Sequence, residues 1–382
     1  MLMVATNFVS YSQPIPKRAL FLGNSYTSYN SLPNLVEDIA TSLGDSLIHD
    51  RNTPGGQTMA GHASNATSLS KIASQEWDYV ILQSQSQEPS FPPSQVANDV
   101  FPYAERLTDS IRNNTSCGTP LFFMTWGRKN GDASNCAAYP PICTYEGMQQ
   151  RLRESYMEMA STNQGRVSPV GVAWKRVREE YPEIELYTQD ESHPSYAGSY
   201  LAASVFYSSI FQKSCEASGF IGSLDSITAS RLRTIASETV LDSLGLWGFL
   251  EAEVILDSTF LNYAYLTASY SNADSIAWDF GDPFVGSSSD SLVTAEYLVE
   301  GEYTVTLSVY DRLNCESKSA NTVVQIQLPS STATELGSRF GQVVLRTDVL
   351  GRKIDNLDSL NMGQYFIEWD NMGNKRLRYK GY

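Results

Sequence analysis

The chain has 382 residues, enough for two or three domains, and its 42 acidic against 27 basic residues leave a net charge of −15. This excess of negative charge argues against nucleic acid or an anionic membrane as a partner. An acidic chain rich in serine and tyrosine is more typical of an exported protein than of a cytosolic one.

Residues 1–13 combine a short apolar core with small residues and resemble the end of a secretory signal peptide that lacks its basic leader. The stretch is too short to cross a bilayer, and no other part of the sequence is long and apolar enough. We therefore expect an exported chain without a transmembrane segment.

A first predicted strand ends beside a serine. Ala19–Leu22 is an apolar run of the kind that forms a buried parallel strand, and Gly23 and Asn24 interrupt it. Ser25 then lies at the carboxyl end of the strand, where open α/β sheets bind their ligands. Because serine is a weak nucleophile, it needs a nearby imidazole to take its proton.

Further strands and helices alternate along the first 250 residues. The predicted strands are Tyr79–Leu82, Pro120–Met124 and a run around Glu185–Tyr187. Apolar residues at three- and four-residue steps predict helices at Leu32–Leu43, Val100–Ile111, Tyr145–Ala160 and Gly198–Phe211. This alternation predicts an α/β fold with a parallel sheet covered on both faces.

Only three histidines are available as a general base. His193 follows Asp190 by three positions, a spacing that places both side chains on one side of a turn. The carboxylate can then hold one ring nitrogen while the other faces a serine. We expect His49 to be structural. For His62, a substrate contact and a structural hydrogen bond both remain open.

Trp126 follows the predicted strand Pro120–Met124 at its carboxyl end, where it either lines a substrate pocket or packs in the core. No cluster of histidine, cysteine or carboxylate residues has the spacing of metal ligands, and no glycine-rich phosphate loop is present. We therefore expect neither a metal nor a nucleotide cofactor.

The segment Gly23–Ser25 together with the Asp-x-x-His motif at 190–193 resembles the first and fifth blocks of the SGNH, or GDSL-like, hydrolases, over roughly residues 17–213. The resemblance implies a three-layer α/β fold in which Ser25 is the nucleophile, His193 the base and Asp190 its orienting carboxylate. It also implies an oxyanion hole formed by the backbone N–H groups of Ser25 and Gly56.

The third block departs from the family pattern. After the strand Tyr79–Leu82 the family usually has Gly-x-Asn-Asp, whose asparagine donates to the oxyanion, but residues 83–88 read Gln-Ser-Gln-Ser-Gln-Glu. Gln87 takes the place of that asparagine by counting, and strand alternation directs Gln83 and Gln85 to the same side. A glutamine amide can donate the same hydrogen bond. Whether Gln85 or Gln87 does so remains open.

Five cysteines are consistent with an oxidising compartment. Cys136 and Cys143 bracket a proline-rich loop, and we expect them to be bridged. Cys117 with Cys215 is an option for a second bridge, which would leave Cys315 free.

Beyond residue 250, alternating Thr, Val, Tyr and Ser predict a β-sandwich over residues 252–328. The Trp-Asp-Phe-Gly-Asp motif at 278–282 and the Gly-x-Tyr-x-Val motif at 301–305 resemble a PKD domain, which is an Ig-like sandwich. Tyr303, Val305, Leu307 and Val309 would bury one face of a strand. The resemblance implies a module that either binds polysaccharide or spaces the enzyme from a surface, and we favour the spacer.

After a Ser/Thr-rich linker at 329–334, residues 335–382 resemble the carboxyl-terminal sorting domain of the type IX secretion system of Bacteroidota. The resemblance rests on Leu-Gly-Arg at 350–352, Gly-x-Tyr at 363–365 and a basic end. It implies export by the type IX secretion machinery, then cleavage and release or attachment to the cell surface. A small β-domain without an address function is the alternative.

Together these features predict a secreted serine esterase whose hydrolase domain spans residues 17–248. Export and the PKD resemblance favour short acyl esters, acetyl above all, on polysaccharide or glycan as its substrates. Two alternatives remain. One is a lipase or thioesterase that acts on longer acyl chains, and the other is a non-catalytic surface protein that binds glycan. The presence of Ser25, Asp190 and His193 argues against the second, because a decayed enzyme usually loses a triad member early.

Overall fold

The computed structural model describes residues 15–328, 343–348, 353–355, 365–370 and 375–379. These residues fall into two compact units. The first runs to Leu250 and includes Asp311–Glu316, and the second comprises Glu251–Tyr310 and the residues from Ser317 onward. The predicted signal segment, the linker at 329–334 and much of the predicted sorting domain lie outside the described residues.

The first unit is built on a five-stranded parallel sheet with the strand order β2-β1-β3-β4-β5. Its strands are β1 Lys17–Leu22, β2 Leu47–Asn52, β3 Tyr79–Leu82, β4 Thr119–Phe123 and β5 Arg166–Ser168. Every residue of β3 and β4 is buried, as expected of central parallel strands covered on both faces.

Ten α-helices surround this sheet in the described part of the first unit. They are α1 Ser25–Ser28, α2 Leu32–Ser42, α3 Met59–Ser64, α4 Ala66–Ile72, α5 Pro93–Asp99, α6 Phe101–Asn114, α7 Tyr145–Thr162, α8 Val170–Glu180, α9 Tyr196–Phe211 and α10 Ser226–Leu241. One group packs α2, α8 and α10 around α9, and another packs α3, α4 and α5 against α6. The result is the three-layer α/β architecture that the sequence predicts.

One predicted strand was wrong, and two strands, β2 and β5, were missed. Glu185–Tyr187 forms no strand of the sheet, and only Tyr187 makes an isolated bridge, with Pro194. The apolar Leu186 is buried in a loop whose backbone accepts a hydrogen bond from Ser195, so its apolar character reflects core packing. The missed strand β2 is an edge strand of mixed polarity, which gives no apolar run in the sequence.

The disulfide bonds confirm one prediction and correct another. Cys136 and Cys143 are bridged as expected, but Cys117 pairs with Cys315. Cys215 is free and buried, with its Sγ 3.3 Å from Ser237 Oγ on α10. Cys215 is packed among the helices and does not reach Cys117. Which cysteines lie close together is decided only by the tertiary fold.

The segment Asp311–Glu316, which carries Cys315, contacts the amino-terminal ends of the strands. Arg166, the first residue of β5, forms an ion pair with Asp311, and Tyr79 donates to Glu316 across 3.4 Å at the start of β3. This segment therefore covers the edge of the sheet opposite the carboxyl ends of the strands.

The second unit contains two antiparallel three-stranded sheets, β6-β7-β9 and β11-β10-β8. Their strands are β6 Glu251–Phe260, β7 Tyr263–Ser271, β8 Ser275–Asp279, β9 Leu292–Glu296, β10 Gly301–Asp311 and β11 Glu316–Ile326. Val305, Leu307 and Val309 are buried on β10, whereas the residues between them are partly or fully exposed, as the alternation predicted; Tyr303, also predicted to be buried, is only half-buried. This pattern is that of a β-sandwich.

A third antiparallel sheet, β12-β13-β14, comes from the last part of the chain. Its strands are β12 Val343–Asp348, β13 Tyr365–Asp370 and β14 Lys375–Tyr379. Glu368 on β13 is buried and pairs with Arg346 and Arg378 on the flanking strands. Throughout the described ranges, no helix combines the length and apolar character needed to cross a bilayer.

Candidate active site

Ser25 and His193 approach the carboxyl edge of the sheet from different parts of the chain. Ser25 begins α1 directly after β1, and the side chain of Asn24 caps this short helix by accepting a hydrogen bond from the Tyr26 N–H. Asp190 and His193 lie in the loop between α8 and α9, just before Ser195 caps α9. The fold thus brings together three residues that are far apart in sequence.

His193 bridges the serine and the carboxylate. Its Nε2 lies 2.8 Å from Ser25 Oγ, and its Nδ1 makes a short hydrogen bond with Asp190 Oδ2. The imidazole is 26% exposed and Asp190 46% exposed. Ser25 is itself partly buried, so the chain of hydrogen bonds ends in a hydroxyl group that solvent or a ligand can reach.

The loop is shaped around the Asp190 carboxylate. Asp190 Oδ1 accepts hydrogen bonds from the Ser192 N–H at 3.0 Å, the His193 N–H at 2.9 Å and the Thr188 hydroxyl at 2.8 Å. Burial raises the pKa of Asp190, but the hydrogen bonds from His193, Ser192 and Thr188 outweigh that effect and hold the pKa far below its usual value. Asp190 is therefore ionised in the folded protein at neutral pH.

Gln83 holds the turn that presents Ser25. Its side-chain Oε1 accepts hydrogen bonds from the Asn24 N–H at 3.1 Å and from the Thr27 hydroxyl at 2.7 Å, while its Nε2 donates to Asn24 Oδ1 at 2.7 Å. Gln83 is fully buried. Gly23 completes this packing, because a Cβ there would lie 2.4 Å from Thr27 Oγ1 and 2.6 Å from Gln83 Oε1.

The backbone N–H groups of Ser25 and Gly56 have no hydrogen-bond acceptor within the described ranges. Gly56 adopts φ 67°, a left-handed conformation that favours glycine, and it is exposed. Asn24 Nδ2 donates at 3.0 Å to the backbone carbonyl of Gln57, the residue after Gly56. This bond ties the Gly56 turn to the turn that carries Ser25. Two free N–H donors thus lie on linked turns.

The amides of Gln85 and Gln87 are already engaged. Gln87 Nε2 donates to Asp132 Oδ2 at 2.6 Å, and Gln85 Nε2 donates to Gln87 Oε1 at 3.1 Å. Gln85 Oε1 accepts from the backbone N–H groups of Gln87 and Glu88. The prediction that one of these glutamines donates to an oxyanion stays a prediction, and the observed bonds give both residues a structural role.

His62 is completely buried beneath the serine turn. Its Nδ1 lies 2.8 Å from Ser68 Oγ and its Nε2 lies 2.9 Å from the carbonyl of Gly23. Burial lowers the pKa of His62 despite the opposing effect of the Gly23 carbonyl, so the ring is neutral, with Nε2–H donating to Gly23. Of the two interpretations open for His62, this placement supports the structural hydrogen bond, and we assign it no substrate contact.

Trp126 is also fully buried and lies in an aromatic stack. Its ring is parallel to Tyr26 at 4.6 Å and to Trp174 at 3.9 Å between centroids. The indole N–H donates to the carbonyl of Ser192 at 3.1 Å, and the Tyr26 hydroxyl lies 2.7 Å from Ser192 Oγ. Of the two roles open for Trp126, these contacts support packing, because its side chain holds the His193 loop; a substrate contact of Trp126 stays a prediction.

Two further residues of the site, Tyr29 and Asn30, were not among the predicted site residues. Tyr29 stacks on the His193 ring with a centroid distance of 4.5 Å and an interplanar angle of 16°. Asn30 and Ser31 adopt φ values of 50° and 52°, and each such residue costs about 1 kcal/mol or more. The sequence Tyr-Asn-Ser does not by itself predict this conformation. The role of Tyr29 becomes visible only through its contact with the His193 ring.

No group of three or more histidine, cysteine or carboxylate side chains among the described residues has the arrangement of a metal site. The reactive groups at this edge of the sheet are Ser25, His193 and Asp190, together with the backbone N–H groups of Ser25 and Gly56.

Comparison with solved structures identifies proteins with a similar fold. A DUF4886 family protein from Bacteroides uniformis is 16% identical, with a TM-score of 0.53, and the match covers 59% of this chain and 95% of that protein. A protein from Slackia heliotrinireducens, assigned provisionally to the SGNH hydrolases, is 25% identical over 50% of this chain and 98% of its own, with a TM-score of 0.42. The PKD1 domain of Epp from Vibrio anguillarum is 26% identical over 21% of this chain and 95% of its own, with a TM-score of 0.19.

The likeness to the DUF4886 structure shows the fold of the first unit alone, because the identity is low. The other two TM-scores are too low to carry an argument. No known family profile and no curated protein matches this sequence.

Proposed function

We propose that this protein is a serine hydrolase of the SGNH type that cleaves carboxylic esters. The observation that supports it is the position of His193, which lies 2.8 Å from Ser25 Oγ through one ring nitrogen and contacts Asp190 through the other. This arrangement allows an imidazole to activate a hydroxyl group while a carboxylate fixes its tautomer.

In the proposed reaction, His193 Nε2 takes the Ser25 proton as Oγ bonds to the ester carbonyl carbon. The imidazolium is stabilised by Asp190, whose low pKa keeps it ionised. The proton then passes to the leaving alcohol oxygen as the carbon–oxygen bond breaks, which leaves an acyl group on Ser25. Water, deprotonated by His193, attacks this acyl group, and the acid leaves as Ser25 regains its proton.

The oxyanion that forms during both steps needs hydrogen-bond donors that are already in place. We propose the backbone N–H groups of Ser25 and Gly56 for this role, because both are free and their turns are linked through Asn24. Gln85 or Gln87 remains the predicted third donor. Each of them would have to use the amide hydrogen that is not engaged in the observed bonds.

We further propose that the substrates are short acyl esters, acetyl above all, carried by an extracellular polysaccharide or glycan. This proposal rests on the resemblance of residues 335–382 to a type IX sorting domain and on the PKD-like motifs of the β-sandwich. Both imply a secreted or surface-attached protein that works outside the cell. In this proposal the PKD-like unit acts as a spacer.

The experiment that tests the function is hydrolysis of p-nitrophenyl acetate and p-nitrophenyl palmitate by the purified chain and its Ser25→Ala variant. We expect turnover of the acetate and a loss of roughly 10⁴-fold or more in the variant, because the substitution removes the hydroxyl group that His193 contacts. Ser64→Ala is the matched control, since Ser64 is an exposed serine that bonds only within α3.

The other outcomes are equally informative. Turnover of the palmitate in preference to the acetate would contradict the short-acyl proposal in favour of a lipase or thioesterase. Acetate turnover that survives Ser25→Ala would contradict the mechanism. No turnover of either ester would favour a binding protein.

A further inference from the structure

Tyr29 is an exposed aromatic residue placed directly against His193. The two rings are nearly parallel, at 16°, with centroids 4.5 Å apart, and Tyr29 is 39% exposed. The imidazole covers one face of the phenol ring, and more than a third of the residue stays open to solvent. An aromatic side chain that a ligand can reach thus lies directly beside the imidazole.

The two residues that follow Tyr29 hold it in this position. Asn30 Nδ2 donates to Ser199 Oγ at 2.9 Å and to the Ser195 carbonyl at 3.2 Å, and both acceptors lie at the start of α9. Asn30 and Ser31 are both left-handed, at φ 50° and 52°. The tyrosine is therefore fixed relative to the His193 loop by bonds that oppose an unfavourable backbone conformation.

The proposed reaction defines which part of an ester lies beside His193. The carbonyl oxygen must point to the N–H groups of Ser25 and Gly56, whereas the leaving oxygen must face His193 Nε2 to receive its proton. The alcohol half of the ester is therefore the half that borders the imidazole. Tyr29, stacked on that imidazole, lies on the alcohol side of the site.

We propose that Tyr29 is a substrate-binding residue that stacks on a ring-shaped alcohol, a pyranose of an acylated sugar, and so selects esters by their leaving group. A pyranose has faces of C–H groups, which pack on the face of an aromatic ring while its hydroxyl groups stay in water. The inference rests on the proposed ester hydrolysis and assigns its alcohol specificity to one side chain.

The test compares Tyr29→Ala with the intact protein on two acetate esters, ethyl acetate and a methyl glucoside acetylated at one hydroxyl group. We expect kcat/KM for the sugar ester to fall about tenfold relative to that for ethyl acetate, mainly through KM. Tyr29→Leu should behave like Tyr29→Ala because it lacks a flat face, and Tyr29→Phe should restore the preference. Tyr265→Ala, a tyrosine of equal 39% exposure on β7, is the control.

An equal loss on both esters would overturn the inference, because it would mean that Tyr29 only positions His193. An unchanged ratio in both Tyr29→Ala and Tyr29→Leu would overturn it as well. Failure of the proposed function is distinguishable from these results, since the unsubstituted protein would then hydrolyse neither ester, and the inference would fall with it.

Discussion

Two polar loops meet at the carboxyl edge of the sheet and differ in how they use their hydrogen bonds. In the loop Gln83–Glu88, the glutamine side chains bond to one another, to the backbone and to buried Asp132. In the loop Thr188–His193, the bonds converge on Asp190. The His193 N–H and Nδ1–H donate to the carboxylate, and Ser25 Oγ in turn donates to His193 Nε2. Polar composition alone therefore does not identify a reactive site. A hydrogen-bond chain that ends in an accessible hydroxyl group is the better indicator.

Among substitutions of the residues that support Ser25, the largest effect should come from removing the carboxylate of Asp190, on which the hydrogen bonds of this loop converge. We expect Asp190→Asn to lower kcat by about 10² to 10⁴-fold, because a neutral amide neither stabilises the imidazolium nor selects the required tautomer. Steady-state kinetics on p-nitrophenyl acetate measure this. Asp225→Asn is the matched control, since Asp225 also accepts backbone hydrogen bonds but caps α10. Equal activity of Asp190→Asn and the unsubstituted protein would contradict the role of Asp190.

Of the substitutions in the loop Gln83–Glu88, replacement of Gln83 should lower the free energy of unfolding most. Gln83→Leu leaves the N–H of Asn24 and the hydroxyl of Thr27 without their buried partner, and each buried unsatisfied group costs about 1–3 kcal/mol. We expect the free energy of unfolding to fall by about 3 kcal/mol in urea denaturation. Gln95→Leu on exposed α5 should change it by less than about 0.5 kcal/mol. A similar small change for Gln83→Leu would show that the serine turn does not depend on this network.

A smaller effect on catalysis is expected from Gln87→Ala. Its amide nitrogen already donates to Asp132, so we expect kcat to fall by less than about tenfold, whereas loss of a true oxyanion donor costs about 10²–10³-fold. Kinetics of Gln85→Ala measured alongside would identify a third donor on the neighbouring glutamine. A decrease above a hundredfold in either variant, with unchanged thermal stability, would assign that residue to the oxyanion hole.

The smallest expected effect is a pH dependence that originates at Asp132. Burial raises its pKa, but hydrogen bonds from Asn135 and Gln87, together with the charge of Arg128, lower it below the usual value. A depressed folded-state pKa contributes stability above the unfolded-state pKa of about 3.9, and this contribution is lost as the pH falls through the folded-state pKa. We therefore expect Asp132→Asn to be less stable than the unsubstituted protein at pH 7, and the difference to shrink as the pH falls below about 3.9. A difference in unfolding free energy that does not change with pH would contradict this.

Much of the fold could be predicted from local patterns. The apolar runs at β1, β3 and β4 and the helical periodicity of α2, α6, α7 and α9 identified the central elements, because these residues are buried on both sides or along one face. Edge strands carry weaker signals, which is why β2 and β5 were missed. The error around Leu186 has a different cause. Its loop was predicted to be a strand because it is apolar, and burial alone does not distinguish a strand from a packed loop.

The sequence by itself determined the meeting of Ser25 with Asp190 and His193, because a strand end and an i, i+3 pair are local features that a parallel sheet brings to one edge. Only the tertiary structure decided which of the other polar and aromatic residues reach that edge. Gln87, His62, Trp126 and Tyr29 differ in partner and burial, not in local pattern, and apart from the contact between Gln85 and Gln87 these partners lie between 6 and 164 positions away along the chain. Contacts of that kind depend on how loops pack in three dimensions, so the sequence could name these residues as candidates, or overlook them, but could not assign their roles.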